Sequence, residues 1–150
     1  MESKRELFQV LTQSFGYLNK KCCSVGSVDI SPVQSHILYE IDKQTEPSMQ
    51  QVAEILGMDI TTFSRQIQTL IKMNLVKKTP SSTDKRVSIL FLTVEGKFVA
   101  TIIDQTINEY LNNVFSHMNE FEQETVIRSL ILLNKAMTKS SICCTPHSLS

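Results

Sequence analysis

The chain has 150 residues, of which 41% are hydrophobic, and its 15 basic residues balance its 15 acidic ones. This length and apolar content suit a single folded domain, and they exclude a disordered or collagen-like chain. Because no apolar run approaches the roughly 18 residues of a membrane helix and the amino-terminal segment lacks an apolar signal region, we expect a cytoplasmic, mostly helical protein with no membrane association.

The basic residues are concentrated in the middle of the chain. Residues 61–97 contain seven basic residues and two acidic ones, whereas the rest of the chain contains eight basic and 13 acidic residues. The middle therefore carries a net charge of +5, and the rest carries −5. Because a local positive surface attracts polyanions, this asymmetry predicts a polyanion-binding face in the central segment.

Capping signals and apolar spacing predict two helices in the first third of the chain. Ser3 begins a capping-box pattern, and an apolar stripe then indicates a first helix over residues 4–21. The stretch 24–29 is predicted to be a loop. Ser31 is expected to cap a second helix, with Pro32 at its first position, where a missing N–H costs nothing.

The next two predicted helices form a helix-turn-helix. Ser48 caps the first, Gly57 ends it, and Asp59 or Thr61 caps the second, at about residues 60–73. In this motif the second helix enters the DNA major groove. Its inward face is predicted to be Ile60, Phe63, Ile67, Leu70 and Ile71. Its outward face carries polar groups that can reach base edges and phosphates, namely Thr61, Thr62, Ser64, Arg65, Gln68 and Thr69.

After residue 74 the apolar period falls from 3.6 to about 2, which predicts two strands over residues 75–79 and 87–92. The polar, basic turn at residues 80–86 joins them into a β-hairpin. A hairpin that directly follows a helix-turn-helix is a wing, and its tip is free to lie over the DNA backbone. The tip residues expected to contact DNA are Ser81, Ser82, Lys85 and Arg86.

Two further helices are predicted beyond the wing, one beginning at Thr93 and one opened by a capping-box pair at Asn119 and Glu122. The terminal helices carry more apolar surface than a small winged domain can cover, which indicates a dimer interface. A two-fold dimer sets two recognition helices one DNA turn apart, about 34–36 Å. We therefore expect a mainly α fold with a small β-hairpin, in which a winged helix-turn-helix part at about 31–92 is combined with a helical dimerisation region at about 1–30 and 93–150.

The wing sequence resembles that of the multiple-antibiotic-resistance regulator (MarR) family. Asp84, Lys85 and Arg86 match the first part of the family's wing signature, D-x-R, and residues 87–96 match the alternating apolar strand and the L-T-x-x-G that follow it. The run Ser-Arg-Gln-Ile at residues 64–67 is similar to the family's recognition helix. Asn74 stands where many relatives have Gly, and Asn also tolerates the left-handed backbone conformation.

This resemblance implies a homodimeric transcriptional regulator, usually a repressor, that an effector releases from a palindromic DNA operator. It implies that Arg86 enters the minor groove, that Asp84 orients Arg86, and that Ser64 and Arg65 lie on the recognition helix. It also implies an effector pocket in the crook between the dimerisation region and the winged part.

The four cysteines form two adjacent pairs near the chain ends: Cys22, Cys23, Cys143 and Cys144. In a cytosolic protein this pattern does not indicate a structural disulfide framework. Lysines at positions 20 and 21 favour a reactive thiolate at Cys22. Three interpretations stay open: oxidation that links the two pairs, capture of a soft metal or metalloid by vicinal thiols, and no sensing role. Some MarR-family oxidant sensors place cysteines similarly.

Other functions fit the sequence less well. There is no Gly-rich phosphate loop and no nucleophile arrangement, so neither an enzyme nor a cofactor is expected. The three histidines lack the spacing of a zinc site, and no metal site is expected. A winged-helix protein-interaction module is the remaining alternative, and the basic central segment argues against it. The expected partners are double-stranded DNA, a second copy of the chain, and a small-molecule or oxidant effector.

Overall fold

The computed structural model describes residues 2–22 and 24–140, without the side chains of residues 17–22. Within these residues no helix is long and apolar enough to cross a membrane. The described chain forms six helices and two hairpins: α1 (Lys4–Cys22), β1 (Ser24–Val25), β2 (Val28–Asp29), α2 (Pro32–Lys43), α3 (Met49–Ile55), α4 (Ile60–Lys72), β3 (Val76–Pro80), β4 (Ser88–Leu92), α5 (Val94–Ser116) and α6 (Glu120–Lys139). The predicted fold class, mainly helical with a winged helix-turn-helix, is confirmed.

Side-chain caps start the helices where the sequence predicts. Ser31, Ser48 and Asn119 each accept a hydrogen bond from the backbone N–H three residues later, and the Gln or Glu at that position bonds back to the cap. Such capping boxes satisfy backbone donors that a helix leaves free at its start. At α4 the cap is Asp59.

The sequence interpretation of residues 24–29 as a loop is wrong. This stretch forms a minimal antiparallel hairpin in which Ser24 pairs with Asp29 and Val25 pairs with Val28. Gly26 makes the turn at φ +61°, and the Ser24 hydroxyl donates to an Asp29 carboxylate oxygen at 2.8 Å. Strands of two residues are too short to produce a detectable alternation, so the sequence carried no signal for them.

The chain divides into two compact units, residues 1–107 and 108–150. The first contains one apolar core, to which α2, α3, α4, both wing strands and α5 contribute. Its buried members are Ile30, Ile37, Leu38, Ile41, Val52, Ala53, Phe63, Ile67, Leu70, Leu75, Val76, Leu90, Val99, Ala100 and Ile103. Ile60 and Ile71 remain 45% and 37% exposed, contrary to prediction, since three other α4 side chains already fill its narrow inward stripe.

The wing is an antiparallel pair that is fastened to the helix-turn-helix. Strands β3 and β4 pair from Val76↔Leu92 to Pro80↔Ser88, within one residue of the predicted limits. On the other side of β4, Ile89 bridges to Ser48, the cap of α3, and the Leu90 N–H donates to the Pro47 carbonyl at 2.9 Å. The base of the wing and the start of α3 therefore form one hydrogen-bonded structure.

The second unit contains the end of α5 and all of α6. The side-chain amide of Gln123 donates to the carbonyls of Phe115 and Met118, both at 3.0 Å, and closes the turn between the helices. No described residue of α6 is buried. Its large exposed apolar side chains are Phe121, Ile127, Leu130, Ile131, Leu132 and Met137.

Candidate nucleic-acid interface

A glycine turn sets α4 against α3. Gly57 adopts φ +64°, a conformation that glycine adopts without steric cost. The N–H of Met58 donates to the Ala53 carbonyl at 2.9 Å and that of Gly57 donates to the Glu54 carbonyl at 3.1 Å, so these two carbonyls at the end of α3 are satisfied. The turn leaves one face of α4 packed on the core and the opposite face exposed.

The exposed face of α4 is polar and basic. A 100° step per residue places six exposed side chains within one stripe about 120° wide: Thr61, Thr62, Arg65, Gln68, Thr69 and Lys72. Ser64 lies on the flank of this stripe and is half-buried. The structure therefore brings five of the six predicted outward residues of α4 onto one surface and sets Ser64 at its edge.

The threonines of this stripe differ in what their hydroxyls do. The Thr62 hydroxyl donates to an Asp59 carboxylate oxygen in a very short hydrogen bond, so Thr62 belongs to the cap of α4. The Thr69 hydroxyl donates to the Arg65 carbonyl at 3.1 Å. Arg65, Gln68 and Lys72 present the long polar groups of this face.

The carboxylate of Asp59 forms the cap of α4. Besides the Thr62 hydroxyl, the N–H groups of Thr61 and Thr62 donate to Asp59 Oδ1 at 2.9 and 3.3 Å. Hydrogen bonds from Thr62, reinforced by the N–H of Thr61 and the charge of Arg65, lower the pKa of Asp59 below its ordinary value. A negative charge at the start of a helix also interacts favourably with the positive end of the helix dipole.

The wing tip presents an arginine that is oriented by an aspartate. Arg86 Nε and Nη2 donate to the two Asp84 carboxylate oxygens at 3.2 and 3.4 Å, and the Arg86 N–H donates to Oδ1 at 3.0 Å. The Arg86 side chain is nevertheless 92% exposed. These hydrogen bonds from Arg86 lower the pKa of Asp84. An exposed, oriented guanidinium is suited to a phosphate or a narrow groove.

The rest of the tip is closed by short polar contacts. The Ser81 N–H donates to the Val87 carbonyl at 2.7 Å, and the hydroxyls of Ser81 and Thr83 lie 3.0 Å apart. Ser82 and Lys85 are exposed within the same turn. The predicted wing residues therefore share one tip.

Three lysines of this region were not among the predicted contact residues. Lys72 lies seven residues after Arg65, and this spacing of nearly two helical turns is the signal that places it on the same face. Lys77 and Lys78 are exposed on β3. Together they extend the positive charge from α4 into the wing.

The winged unit also contains a cavity of about 350 Å³ where α2, the end of α3 and α5 meet. Its walls are mostly apolar, and they consist of Ser35, His36, Tyr39, Glu40, Leu56, Ala100, Ile103, Asp104 and Ile107. A space of this size falls in the range of small-molecule sites, roughly 300–1,000 Å³.

The candidate thiols stay a prediction. Cys22 is the last residue of α1, in the stretch without described side chains, and Cys23, Cys143 and Cys144 lie outside the described residues. Within the described part of the chain, no group of three or more His, Cys, Asp or Glu side chains could hold a metal ion.

Comparison with known proteins gives a family match over part of the chain and a fold over nearly all of it. The model of the MarR family matches residues 30–88, from the residue before the α2 cap to the first residue of β4. No curated protein sequence matches the chain.

Solved structures match nearly the whole chain at low sequence identity. FabT of Streptococcus pneumoniae in complex with DNA has a TM-score of 0.81 at 19% identity, over 91% of this chain and 98% of that one. The S. aureus MepR–DNA complex has a TM-score of 0.77 at 18% identity, over 91% and 99%. PcaV from Streptomyces coelicolor in complex with its natural ligand has a TM-score of 0.72 at 20% identity, over 91% and 99%. At these identities the likeness establishes the fold.

The family model covers the helix-turn-helix and most of the wing, and the solved structures share the arrangement of helices around them. The resemblance inferred from the wing signature and the recognition helix is therefore confirmed: residues 30–88 match the MarR family model, and the fold is that of solved MarR-type structures.

Proposed function

We propose that the protein is a homodimeric transcriptional repressor that binds a palindromic DNA operator. Helix α4 enters the major groove, and the wing lies over the backbone with Arg86 in the minor groove. The observation that carries this proposal is the exposed Arg86 guanidinium, held by Asp84 at a wing tip whose neighbouring helix presents Arg65 and Gln68. Arginine and glutamine are side chains that read guanine and adenine edges.

Two similar folds support DNA as the partner. The FabT and MepR structures named above are complexes with DNA. The net charge of +5 over residues 61–97 supports the same partner, because neutralising phosphates provides most of the sequence-independent affinity. The protein-interaction alternative does not require this charge.

The exposed apolar helices support a dimer. In α1 the side chains of Leu7, Phe8, Val10, Leu11 and Phe15 are exposed, and α6 exposes the six large apolar residues given above. Apolar surface of this extent is rare on a monomer and marks an interface. We propose that a second copy of the chain covers it, with residues 1–30 and 93–150 as the dimerisation region and about 31–92 as the DNA-binding part.

The dimer is tested by sedimentation equilibrium of the full chain. Leu130→Glu places a charge among the exposed apolar side chains of α6 and is expected to shift the mass toward the monomer and to weaken operator binding. Glu54→Lys, a charge change on the exposed surface of α3 and outside the proposed dimerisation region, is the control and is expected to sediment like the parent. A monomeric parent protein would overturn this part of the proposal.

We propose that an effector releases the operator, and two sources are open to direct test. The cavity between α2 and α5 supports a small molecule, whereas the paired cysteines support an oxidant or a soft metal ion. The test compares operator binding by reduced and by mildly oxidised protein. Loss on oxidation that a thiol reductant restores indicates a cysteine switch, while binding that ignores the oxidant leaves a soft metal ion or a small molecule in the cavity as the effector.

A further inference from the structure

Strand β4 has an outer edge that is only partly paired. At the base of the wing the Thr93 N–H donates to the Leu75 carbonyl at 3.0 Å. Because hydrogen-bonded and non-hydrogen-bonded pairs alternate along an antiparallel ladder, the main-chain groups of Leu92 and Leu90 then point away from β3. On this outer side the Leu90 N–H donates to the Pro47 carbonyl at 2.9 Å, which leaves Leu92 as the next position where a neighbouring strand could pair.

The segment that could continue this pairing turns away at Glu46. The bridge between Ser48 and Ile89 sets Thr45 opposite Leu92 in the antiparallel register. Glu46, however, adopts φ +46°, and within the described chain no main-chain hydrogen bond joins residues 44–46 to Leu92. A positive φ costs conformational free energy in a residue with a side chain, and such outliers are concentrated at binding and switch sites. The edge at Leu92 therefore offers an N–H and a carbonyl to a strand from outside.

A groove of about 410 Å³ lies along this edge. The end of α2 and residues 44–47 line one part of it, and the end of β4 and the start of α5 line the other. Its apolar lining residues are Ile41, Pro47, Leu90, Phe91, Leu92 and Val94. Val94 is 87% exposed, so this apolar lining is accessible to a partner.

The two edges of the wing differ in their protection against strand pairing. Strand β3 carries Lys77 and Lys78 and ends at Pro80, and lysine and proline on an edge oppose the addition of another strand. Strand β4 contains neither a charged residue nor a proline. An added strand is therefore disfavoured at β3 and permitted at β4.

The groove carries one carboxylate without an ion pair. Lys97 and Asp42, which both line the groove, form a very short ion pair with each other. Glu46 is exposed at the same groove and is in no ion pair with a described residue. These two carboxylates and one ammonium leave a net charge of −1, which favours a partner with a basic side chain.

We propose that this groove binds an extended peptide segment of a partner protein by strand addition to β4. One residue of the segment pairs with Leu92 in the antiparallel register, donating its N–H to the Leu92 carbonyl and accepting from the Leu92 N–H. An apolar side chain of the segment contacts the apolar lining, and a basic side chain faces Glu46. In this mode of recognition the main-chain bonds give affinity and the side-chain contacts give specificity. The groove contains none of the proposed DNA-contact residues, so the inference does not depend on DNA binding.

The test uses capped tripeptides and amide-resolved NMR of the isotope-labelled full chain. With acetyl-Val-Leu-Lys-methylamide, the Leu92 amide is expected to shift and to exchange more slowly with solvent as the peptide binds. An analogue with an N-methylated leucine cannot donate to the Leu92 carbonyl and is expected to bind about tenfold more weakly. A peptide with glutamate in place of its lysine is expected to bind about two- to fivefold more weakly, as for one exposed ion pair.

Matched variants assign the binding to the groove. Val94→Gln removes an apolar side chain from the lining and is expected to weaken the lysine peptide about fivefold. Phe98→Gln, one turn later on α5, is the control, because Phe98 is also exposed but does not line the groove. Its affinity is expected to equal that of the parent. Glu46→Gln is expected to bind the lysine and glutamate peptides with equal affinity.

Several results would overturn the proposal: no binding at millimolar peptide, equal affinity for the N-methylated analogue, or equal loss of affinity in Val94→Gln and Phe98→Gln. A Leu92 amide that already exchanges slowly in dilute protein without peptide would show that the edge is paired within the chain. Protection of this amide that rises with protein concentration would assign the edge to a second copy of the chain, and it would equally refute a separate peptide partner.

Discussion

The hydroxyl of Thr93 donates a hydrogen bond of 2.7 Å to the main-chain carbonyl of Asn74. Asn74, which follows α4, adopts φ +61°, and Thr93 directly precedes α5. The same hydroxyl accepts from the Gly96 N–H at 2.9 Å, and the Thr93 N–H donates to the Leu75 carbonyl at 3.0 Å. The end of α4 is thus tied to the start of α5.

The hydroxyl of Thr93 is expected to contribute to stability through both of its bonds. Thr93 is buried, so the isosteric Thr93→Val leaves a carbonyl and an N–H without their partner and is expected to cost about 1–3 kcal/mol. Thr93→Ser retains the hydroxyl and is expected to cost less. Urea unfolding measures both, and equal stabilities of the two variants would contradict the assigned role.

The same junction requires a glycine at position 96. A Cβ there would overlap the Leu75 carbonyl oxygen, which is part of the backbone and cannot move aside cheaply. Gly96→Ala is therefore expected to destabilise the fold by roughly 1–3 kcal/mol. Gly16→Ala, where a Cβ would meet no atom within 4 Å, is expected to be neutral or stabilising by about 0.5–1 kcal/mol, as for a helix interior. Thermal or urea unfolding measures both variants. A Gly96→Ala protein as stable as the parent would show that position 96 is not in tight contact with the Leu75 carbonyl.

Arg86 is expected to contribute to DNA binding and not to folding. Arg86→Ala should weaken binding of a specific duplex by about 1–3 kcal/mol and reduce its salt dependence. Arg128, which pairs with Glu124 on α6, provides a control with a similar exposed ion pair outside the proposed DNA interface. Anisotropy titrations in which Arg86→Ala and Arg128→Ala lose equal affinity would show that the wing does not contact DNA.

The cap of α4 is expected to make stability depend on acid. The pKa of Asp59 is lower in the folded chain than its ordinary value. The contribution of Asp59 to the free energy of unfolding is therefore fully present above the ordinary pKa, and it is lost as the pH falls through the pKa of the folded chain. Asn also caps helices but does not titrate. Urea unfolding at about pH 7 and about pH 3 should therefore show that Asp59→Asn loses less unfolding free energy between these two pH values than the parent does. An equal loss would contradict this assignment.

The sequence predicted the elements that have strong local signals. Capping residues such as Ser31 and Ser48, the turn glycine Gly57 and the change of apolar period after Asn74 each reflect a local backbone requirement, so a single sequence reveals them. The pairing of Asp84 with Arg86 followed from the family resemblance, and the structure shows the same contact.

Features that depend on tertiary packing were less predictable. The buried face of α4 is narrower than its row of apolar residues. The apolar spacing predicts that Ile60 and Ile71 are buried, and both are exposed. The role of Thr62 in the cap depends on a side-chain rotamer.

DNA binding is best tested through its salt dependence, on a duplex from upstream of the protein's own gene and on a scrambled duplex of equal length. We expect tight binding that prefers the upstream duplex and weakens steeply with salt, with a log–log slope of about 0.9 for each phosphate that the dimer neutralises. Equal and salt-insensitive binding to both duplexes, or no binding at low salt, would contradict a DNA-binding repressor.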